Sequence, residues 1–132
     1  KEARDVELEK IRIEGINDTY AISSLKKEFR KAVDEPWKEK EPWERYQKKL
    51  IQDLTVLDQE KESAIDLQQF EKLNGVDRLY SIRHPESRKN VRIIYTIDED
   101  VIILLTAFLE KNSGDYKRAI DTAKKRLKWL DS

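Results

Sequence analysis

Residues 79–130 read LYSIRHPESRKNVRIIYTIDEDVIILLTAFLEKNSGDYKRAIDTAKKRLKWL, and this stretch decides the fold. Runs of β-branched, aromatic and other apolar residues at 79–83, 91–97 and 101–108 predict three strands of one sheet. The acidic residues 98–100 predict a tight turn between the second and third strands. The third run is apolar on both faces, as expected of a central strand that is covered on both sides.

The chain that follows these strands has the pattern of one amphipathic helix. Asp115 is expected to cap this helix, because an aspartate side chain can accept a hydrogen bond from a free N–H group of the first turn. Apolar residues then recur at helical spacing, and lysine and arginine fill the other faces. The apolar stripe consists of Tyr116, Ile120, Ala123, Leu127 and Leu130.

The strand at 91–97 has a period of two, which assigns its side chains to opposite faces of the sheet. Ile93 and Tyr95 share one face, and we expect them to be buried together with the third strand and the terminal helix. Arg92 belongs to the other face. We therefore expect Arg92 to point away from the core, to a solvated surface.

The first half of the chain predicts one strand followed by helices. Imperfect alternation of apolar and charged residues at 6–13 predicts the strand. A first helix is expected to begin at Asp18 or Thr19, a second to span residues 43–59 and a third to span residues 65–73. These helices would bury their apolar faces against the sheet formed by the second half.

The predicted architecture is a single α+β domain of 132 residues. Residues 1–75 supply the first strand and the helices, and residues 76–132 supply the strand–strand–strand–helix unit. The N-terminal helices are expected to pack on a mostly antiparallel sheet of about four strands, to which the C-terminal helix is added.

The composition excludes several classes of site. The chain has no cysteine and one histidine, which rules out a disulfide framework and a cysteine- or histidine-rich zinc site. We expect neither a metal nor a cofactor, and the absence of a signal peptide or a long apolar run predicts a cytoplasmic protein without membrane contact. Net charge is zero, but residues 72–132 hold 13 basic against 9 acidic side chains. This suits an anionic ligand, although a solvated surface has the same composition.

Arg83 and Arg92 are the strongest candidates for a functional site. Strand interiors rarely contain arginine, so two arginines on adjacent strands predict a pair that clamps phosphate through parallel hydrogen bonds. Pairing across the strands with Glu86 or Asp98 is the alternative explanation. Lys111, just beyond the third strand, is expected to converge on the same place.

The remaining candidates are groups that could contact an anionic ligand or move protons. If that ligand is RNA, its cleavage through the 2′-hydroxyl needs a proton acceptor, cations around the phosphorus and a proton donor for the leaving oxygen. His84 and Tyr116 could move protons, although an exposed loop histidine and a packed helical tyrosine explain the same residues. Arg88 and Lys89 add charge to the loop between the arginines.

Four segments in order resemble one family of bacterial toxins. LNGVDRLYSIR at 73–83 is similar to a pattern L-x-G-x-x-x-L-Y/W-E-L-R, and VRIIY at 91–95 to Y/F-R-I-L-Y. LLTAFLEKNSGDY at 104–116 corresponds to a strand ending L-x-x-F-x-K-K-T-x-K-T-P, and AIDTA at 119–123 to E-I-x-x-A. The chain thus resembles the RelE/ParE/HigB superfamily, in its HigB-like branch.

The resemblance implies the toxin of a type II toxin–antitoxin pair. It would be a metal-independent endoribonuclease that cleaves translated mRNA, usually on the ribosome, with an antitoxin protein as its partner. Arg83, Arg92 and Lys111 correspond to cations of the family pattern, and Ser81 takes the place of the usual Glu. Ser81, Arg88 and Lys89 would then contact the substrate, and the oligomeric state stays open.

Two further departures from the family pattern weaken the cationic site. Glu110 replaces a lysine, and Gly114 replaces another. The alternatives are therefore a ParE-like toxin of the same fold, which binds DNA gyrase and cleaves nothing, and a catalytically silent interaction module.

Overall fold

A mixed β-sheet lies between two layers of helix in the computed structural model, which describes residues 7–34, 43–83 and 90–131. The helices are α1 (Leu25–Asp34), α2 (Trp43–Glu60) and α3 (Ser113–Leu130), and a 3-10 helix spans Lys61–Asp66. The strands are β1 (Leu8–Lys10), β2 (Thr19–Ile22), β3 (Phe70–Lys72), β4 (Tyr80–Ile82), β5 (Val91–Asp98) and β6 (Val101–Leu109).

The six strands of the described residues have the spatial order β1-β2-β6-β5-β4-β3. All neighbours are antiparallel except β2 and β6, which run parallel. The predicted α+β class is confirmed, but the sheet is larger than the four strands expected. The helices also cover both faces of the sheet, with α1 and α2 on one side and α3 on the other.

The hairpin of β5 and β6 forms the centre of the sheet, as predicted. Glu99 and Asp100 make the turn with φ values of 48° and 68°, the left-handed conformation that a tight two-residue hairpin requires. Ile94 pairs with Thr106, whereas Tyr95 pairs with Leu104, so β6 contains one extra residue at this point. A bulge bends the strand that contains it. Here the bend precedes the last residues of β6, which lead to the candidate site.

The two faces of β5 pack against different helices. Ile93 and Tyr95 are fully buried in the cluster that contains the apolar residues of α1 and α2. Leu127 and Ile120 of α3 instead pack against the opposite face of the sheet. The predicted alternation of β5 is therefore confirmed, but the expectation that α3 covers the Tyr95 face is wrong. Helix α3 lies on the face of Arg92, which is consequently half-buried.

Two segments of the first half that were predicted as helix form strands. Thr19–Ile22 pairs in parallel with Ile102–Leu104 of β6, and α1 begins only at Leu25. Phe70–Lys72 pairs with β4, so the predicted helix at 65–73 is also wrong. Both strands are short, with four and three residues, and their hydrogen bonds come from neighbouring strands, which helical spacing within a segment does not report.

The second predicted helix is confirmed as α2, with nearly the expected bounds. Helix α3 and its apolar stripe are confirmed as well. Its cap differs from the prediction, because Asn112 is the N-cap and accepts a hydrogen bond from the Asp115 N–H. Asp115 lies in the first turn and accepts the Asn112 N–H in return, which completes a reciprocal capping box.

Candidate functional site

Arg83 and Arg92 lie opposite each other at the ends of two adjacent strands. The pairing of Ile82 with Ile93 puts the next residue of one strand against the preceding residue of the other, which are these two arginines. The backbone N–H of Arg83 donates a hydrogen bond to the Gln69 carbonyl at 2.7 Å. The backbone of Arg83 is therefore held between the Gln69 segment on one side and β5 on the other. The structure thus brings together the two arginines that the sequence singled out.

Arg92 is held by a carboxylate rather than left in solvent. Its Nε donates to Oε1 of Glu110, and the two side chains are 17% and 22% exposed. Phe108 pairs with Arg92, and Glu110 follows two residues later, just beyond the end of β6, where its N–H donates to the Asn90 carbonyl at 2.9 Å. This is the diagonal position at which long side chains meet across strands. The partner is therefore Glu110, and not Asp98 as the alternative explanation proposed.

Arg83 is tied to the chain segment that leads into β3. Its NH2 group donates to the carbonyl of Gln68 at 2.9 Å. Its Nε is buried and has no hydrogen-bond partner. A buried N–H without an acceptor is costly, so the guanidinium is constrained at a position where an additional acceptor would stabilise it.

Tyr116 places its ring beside Arg92 at the start of α3. The Arg92 guanidinium carbon lies 5.8 Å from the ring centroid, and Phe108 contacts the same ring edge-on at a centroid distance of 5.3 Å. The Tyr116 hydroxyl is buried and has no hydrogen-bond partner, and the same holds for the Ser81 hydroxyl. Tyr116 therefore packs against Phe108 and also lies at the candidate site, beside Arg92.

Burial raises the pKa of the Tyr116 phenol, and the carboxylates of Glu71 and Glu110 raise it further. The nearby Ser81 hydroxyl and the Arg92 cation lower the pKa of the phenol, but the groups that raise it outweigh them. The Ser81 and Tyr116 hydroxyls are not hydrogen-bonded to each other. The phenol therefore stays protonated around neutral pH. In this state it can donate a proton to a reacting group but cannot accept one.

Lys111 lies beside the cap of α3, at the outer edge of β6. Its side chain is exposed, and it lines a cleft with Glu28, Lys31 and Arg126 along the outer edge of β6. Its backbone N–H donates to Asp115 at 2.8 Å as part of the α3 cap. The predicted role of Lys111 in catalysis stays a prediction.

Three candidates, His84, Arg88 and Lys89, lie outside the described residues, and so does the possible partner Glu86. Their predicted roles also stay predictions. Glu110 is the residue that reasoning from the sequence did not place in the site, because it was noted only as a replaced lysine. Its contact with Arg92 follows from the register of β5 against β6, including the bulge, and the sequence carries no signal of that register.

Comparison with known proteins finds a family match for this chain. Across the parts of the chain that the structure covers, helices with the length and apolarity to cross a membrane are absent. No curated protein and no solved structure matches the chain. The profile of the family described as Phage derived protein Gp49-like (DUF891) matches residues 40–128, which is more than half of the chain and includes the whole candidate site. The chain therefore belongs to the Gp49-like family, a phage-derived, toxin-related family of the RelE/HigB type.

Proposed function

We propose that the protein is the toxin of a type II toxin–antitoxin pair and that it cleaves translated mRNA as an endoribonuclease. The observation that carries this proposal is the opposed pair Arg83 and Arg92, which lies on the face of the sheet where Tyr116 packs. The toxin-related family supports the toxin part of the proposal. The HigB-like assignment, the cytoplasmic location and the need for a ribosome belong to the same proposal.

The chemistry that fits this face is attack of a ribose 2′-oxygen on the adjacent phosphorus. Negative charge builds on the phosphoryl oxygens in the transition state, and fixed guanidinium groups stabilise it. Arg83 and Arg92 are suited to this role because both are restrained by neighbouring groups. The protonated Tyr116 hydroxyl can supply the proton that the departing 5′-oxygen requires. No metal ion is needed for these steps.

A second function is favoured by one specific observation. The Arg92–Glu110 ion pair neutralises part of the positive charge that a phosphate would need. A ParE-like toxin, which binds DNA gyrase and cleaves nothing, could keep such a pair as a structural contact. The third alternative, a silent interaction module, would keep it for the same reason.

Replacing Arg92 by alanine separates these functions. We expect wild-type chain, expressed without antitoxin, to stop growth and to degrade mRNA. Arg92→Ala should lower the cleavage rate about a hundredfold or more, because one preorganised cation is lost from the transition state. It should also cost about 1–3 kcal/mol of stability, since Glu110 would remain half-buried without its partner. Primer extension on translated mRNA measures the first effect, and urea unfolding measures the second.

Arg12→Ala is the matched control, since Arg12 is exposed on the segment after β1 and takes no part in the site. Its transcripts should be cleaved as in the wild type. Intact transcripts with wild-type chain, together with inhibited gyrase supercoiling, would replace the nuclease by the ParE-like function. Intact transcripts without any effect on growth would leave only the silent module.

A further inference from the structure

Glu110 has the contacts of a reacting group as well as those of a structural ion pair. It is joined to the cation of the candidate site through one oxygen, and it acts on the nearby Tyr116 phenol. About a fifth of its side chain remains exposed, so a substrate can reach it. A carboxylate, a guanidinium and a protonated phenol thus lie together on one face of the sheet, between β5 and the start of α3.

We propose that Glu110 is the general base of this site and accepts the proton of the attacking ribose 2′-hydroxyl. This inference rests on the proposed ribonuclease function. The 2′-oxygen forms a bond to phosphorus as its proton passes to Glu110, and the bond from phosphorus to the 5′-oxygen breaks. Tyr116 gives its proton to that leaving oxygen. The products are a 2′,3′-cyclic phosphate and a 5′-hydroxyl, and no oxidant, reductant or metal is consumed.

The observations favour Glu110 over Tyr116 as the group that takes this proton. The Tyr116 phenol is protonated and therefore available only as a donor. The contact between Glu110 and Arg92 uses Nε, so it does not itself occupy the two terminal nitrogens that can clamp a phosphate.

The ion pair also explains why a carboxylate is useful at this position. The hydrogen bond from the Arg92 Nε holds the Glu110 carboxylate in a fixed orientation beside the site, as a catalytic base requires. A lysine at position 110, as in the family pattern, would add a cation but could not perform this step at neutral pH. The replacement therefore changes the catalytic group and does not merely weaken the cationic surface.

Glu110→Gln tests the inference, because glutamine has nearly the same shape and can still accept the Arg92 hydrogen bond through its Oε1. The rate constant for mRNA cleavage should be measured in a cell-free translation reaction at saturating chain concentration, so that affinity does not affect it. We expect a loss of about a hundredfold or more, the typical contribution of a general base. Glu110→Asp, which keeps a carboxylate, should recover part of the rate.

Glu71→Gln is the matched control, since Glu71 lies near Tyr116 but is given no part in the reaction. It should cleave at nearly the wild-type rate, and thermal unfolding should show all variants folded. A Glu110→Gln or Glu110→Lys variant that cleaves as fast as wild type, or faster, would overturn the inference and leave the nuclease standing. In that case Glu110 only restrains Arg92. A wild-type chain that cleaves nothing would reject the proposed function, and this inference with it.

Discussion

Asp58 is the side chain on which the start of the sheet depends. Its carboxylate, buried near the end of α2, accepts the N–H groups of Asn17 and Asp18 at 2.9 and 2.8 Å and the Thr19 hydroxyl at 2.7 Å. Burial by itself would raise the pKa of Asp58, but these hydrogen bonds and the Lys61 charge outweigh it and lower the pKa. One carboxylate thus holds the turn that delivers β2 to β6.

Asp58→Asn should therefore destabilise the fold by about 2–4 kcal/mol. The amide keeps one accepting oxygen, so at least one of the buried donors loses its acceptor, and the attraction to Lys61 disappears. Urea unfolding at neutral pH measures the change. Asp121→Asn, at an exposed position of α3, is the control and should change stability by less than about 0.5 kcal/mol. Equal stabilities of the two variants would contradict this assignment.

The contribution of Asp58 should also depend on pH, with a definite sign. Since its folded-state pKa lies below the ordinary value of 3.8, the stabilisation is fully present above pH 3.8. It is lost as the pH falls through the lower folded-state value. The difference in unfolding free energy between wild type and Asp58→Asn should stay constant from pH 7 to pH 5 and shrink in more acidic solution. A difference that grew with acidity would exclude this linkage.

At the scale of single residues, the sequence predicted which side chains of β5 face each way and failed to predict their partners. The period of two separates Arg92 from Tyr95 without any knowledge of the fold. The choice of Glu110 as the partner of Arg92 depends on the register of β5 against β6, which includes a bulge at Leu105. Alternation within one strand carries no signal of that register.

Among the elements, the outer edge of β6 shows how a strand is protected where its neighbour ends. Strand β2 pairs only with Ile102–Leu104, so the later part of β6 presents free backbone groups. Arg126 of α3 donates to the Leu105 carbonyl at 2.7 Å, and Glu28 of α1 accepts the Ala107 N–H at 3.3 Å. Glu28 and Arg126 also pair with each other at 2.7 Å, across the strand edge. This contact closes the edge against another chain.

Arg126→Met should loosen this closure. Methionine keeps an apolar side chain of similar length, but the Leu105 carbonyl loses its donor and Glu28 loses its charge partner. We expect a loss of about 1–3 kcal/mol of stability and more self-association through the uncovered edge. Urea unfolding and light scattering measure the two effects. Lys125→Met, at an exposed position of the same helix, should produce neither, and similar behaviour of the two variants would count against this role.

The elements that the sequence predicted well are those with local signals. Helix α2, the β5–β6 hairpin and α3 each carry their own periodicity or turn residues. The segments Thr19–Ile22 and Phe70–Lys72 were predicted as helix because helical spacing within a short segment does not report its strand partners. Such strands are recognised only when the rest of the sheet is known.

For the molecule as a whole, the sheet separates two layers that have different tasks. The apolar residues of α1 and α2 fill one face and build most of the core. The other face carries α3, and at the start of α3 lie Arg92, Glu110 and Tyr116. The fold class and the toxin-related family could be predicted from the sequence, whereas the division of the helices between the two faces of the sheet could not. That division is what gives Arg92 its half-buried surroundings.

An antitoxin would be expected to cover the α3 side of the molecule. Hydrogen exchange with and without the product of the neighbouring gene should show protection in residues 113–130 or in the β4–β5 pair. Trp129, which is half-buried on α3, is a candidate aromatic anchor. Trp43 packs against Phe29 with ring centroids 5.6 Å apart and is better explained as core. Trp37, the third tryptophan of the chain and a further candidate from the sequence, lies outside the described residues. Protection confined to residues 7–34 would reject this placement.

The most direct test of the central claim is the chemistry of the cut itself. An mRNA should be prepared with a single 2′-deoxynucleotide on the 5′ side of a mapped cleavage site and translated in a cell-free reaction with the purified protein. Attack by the ribose 2′-oxygen predicts that the all-ribose transcript is cleaved at this site and that the substituted transcript stays intact there. Equal cleavage of both transcripts would contradict the account, because the nucleophile could not then be the 2′-hydroxyl.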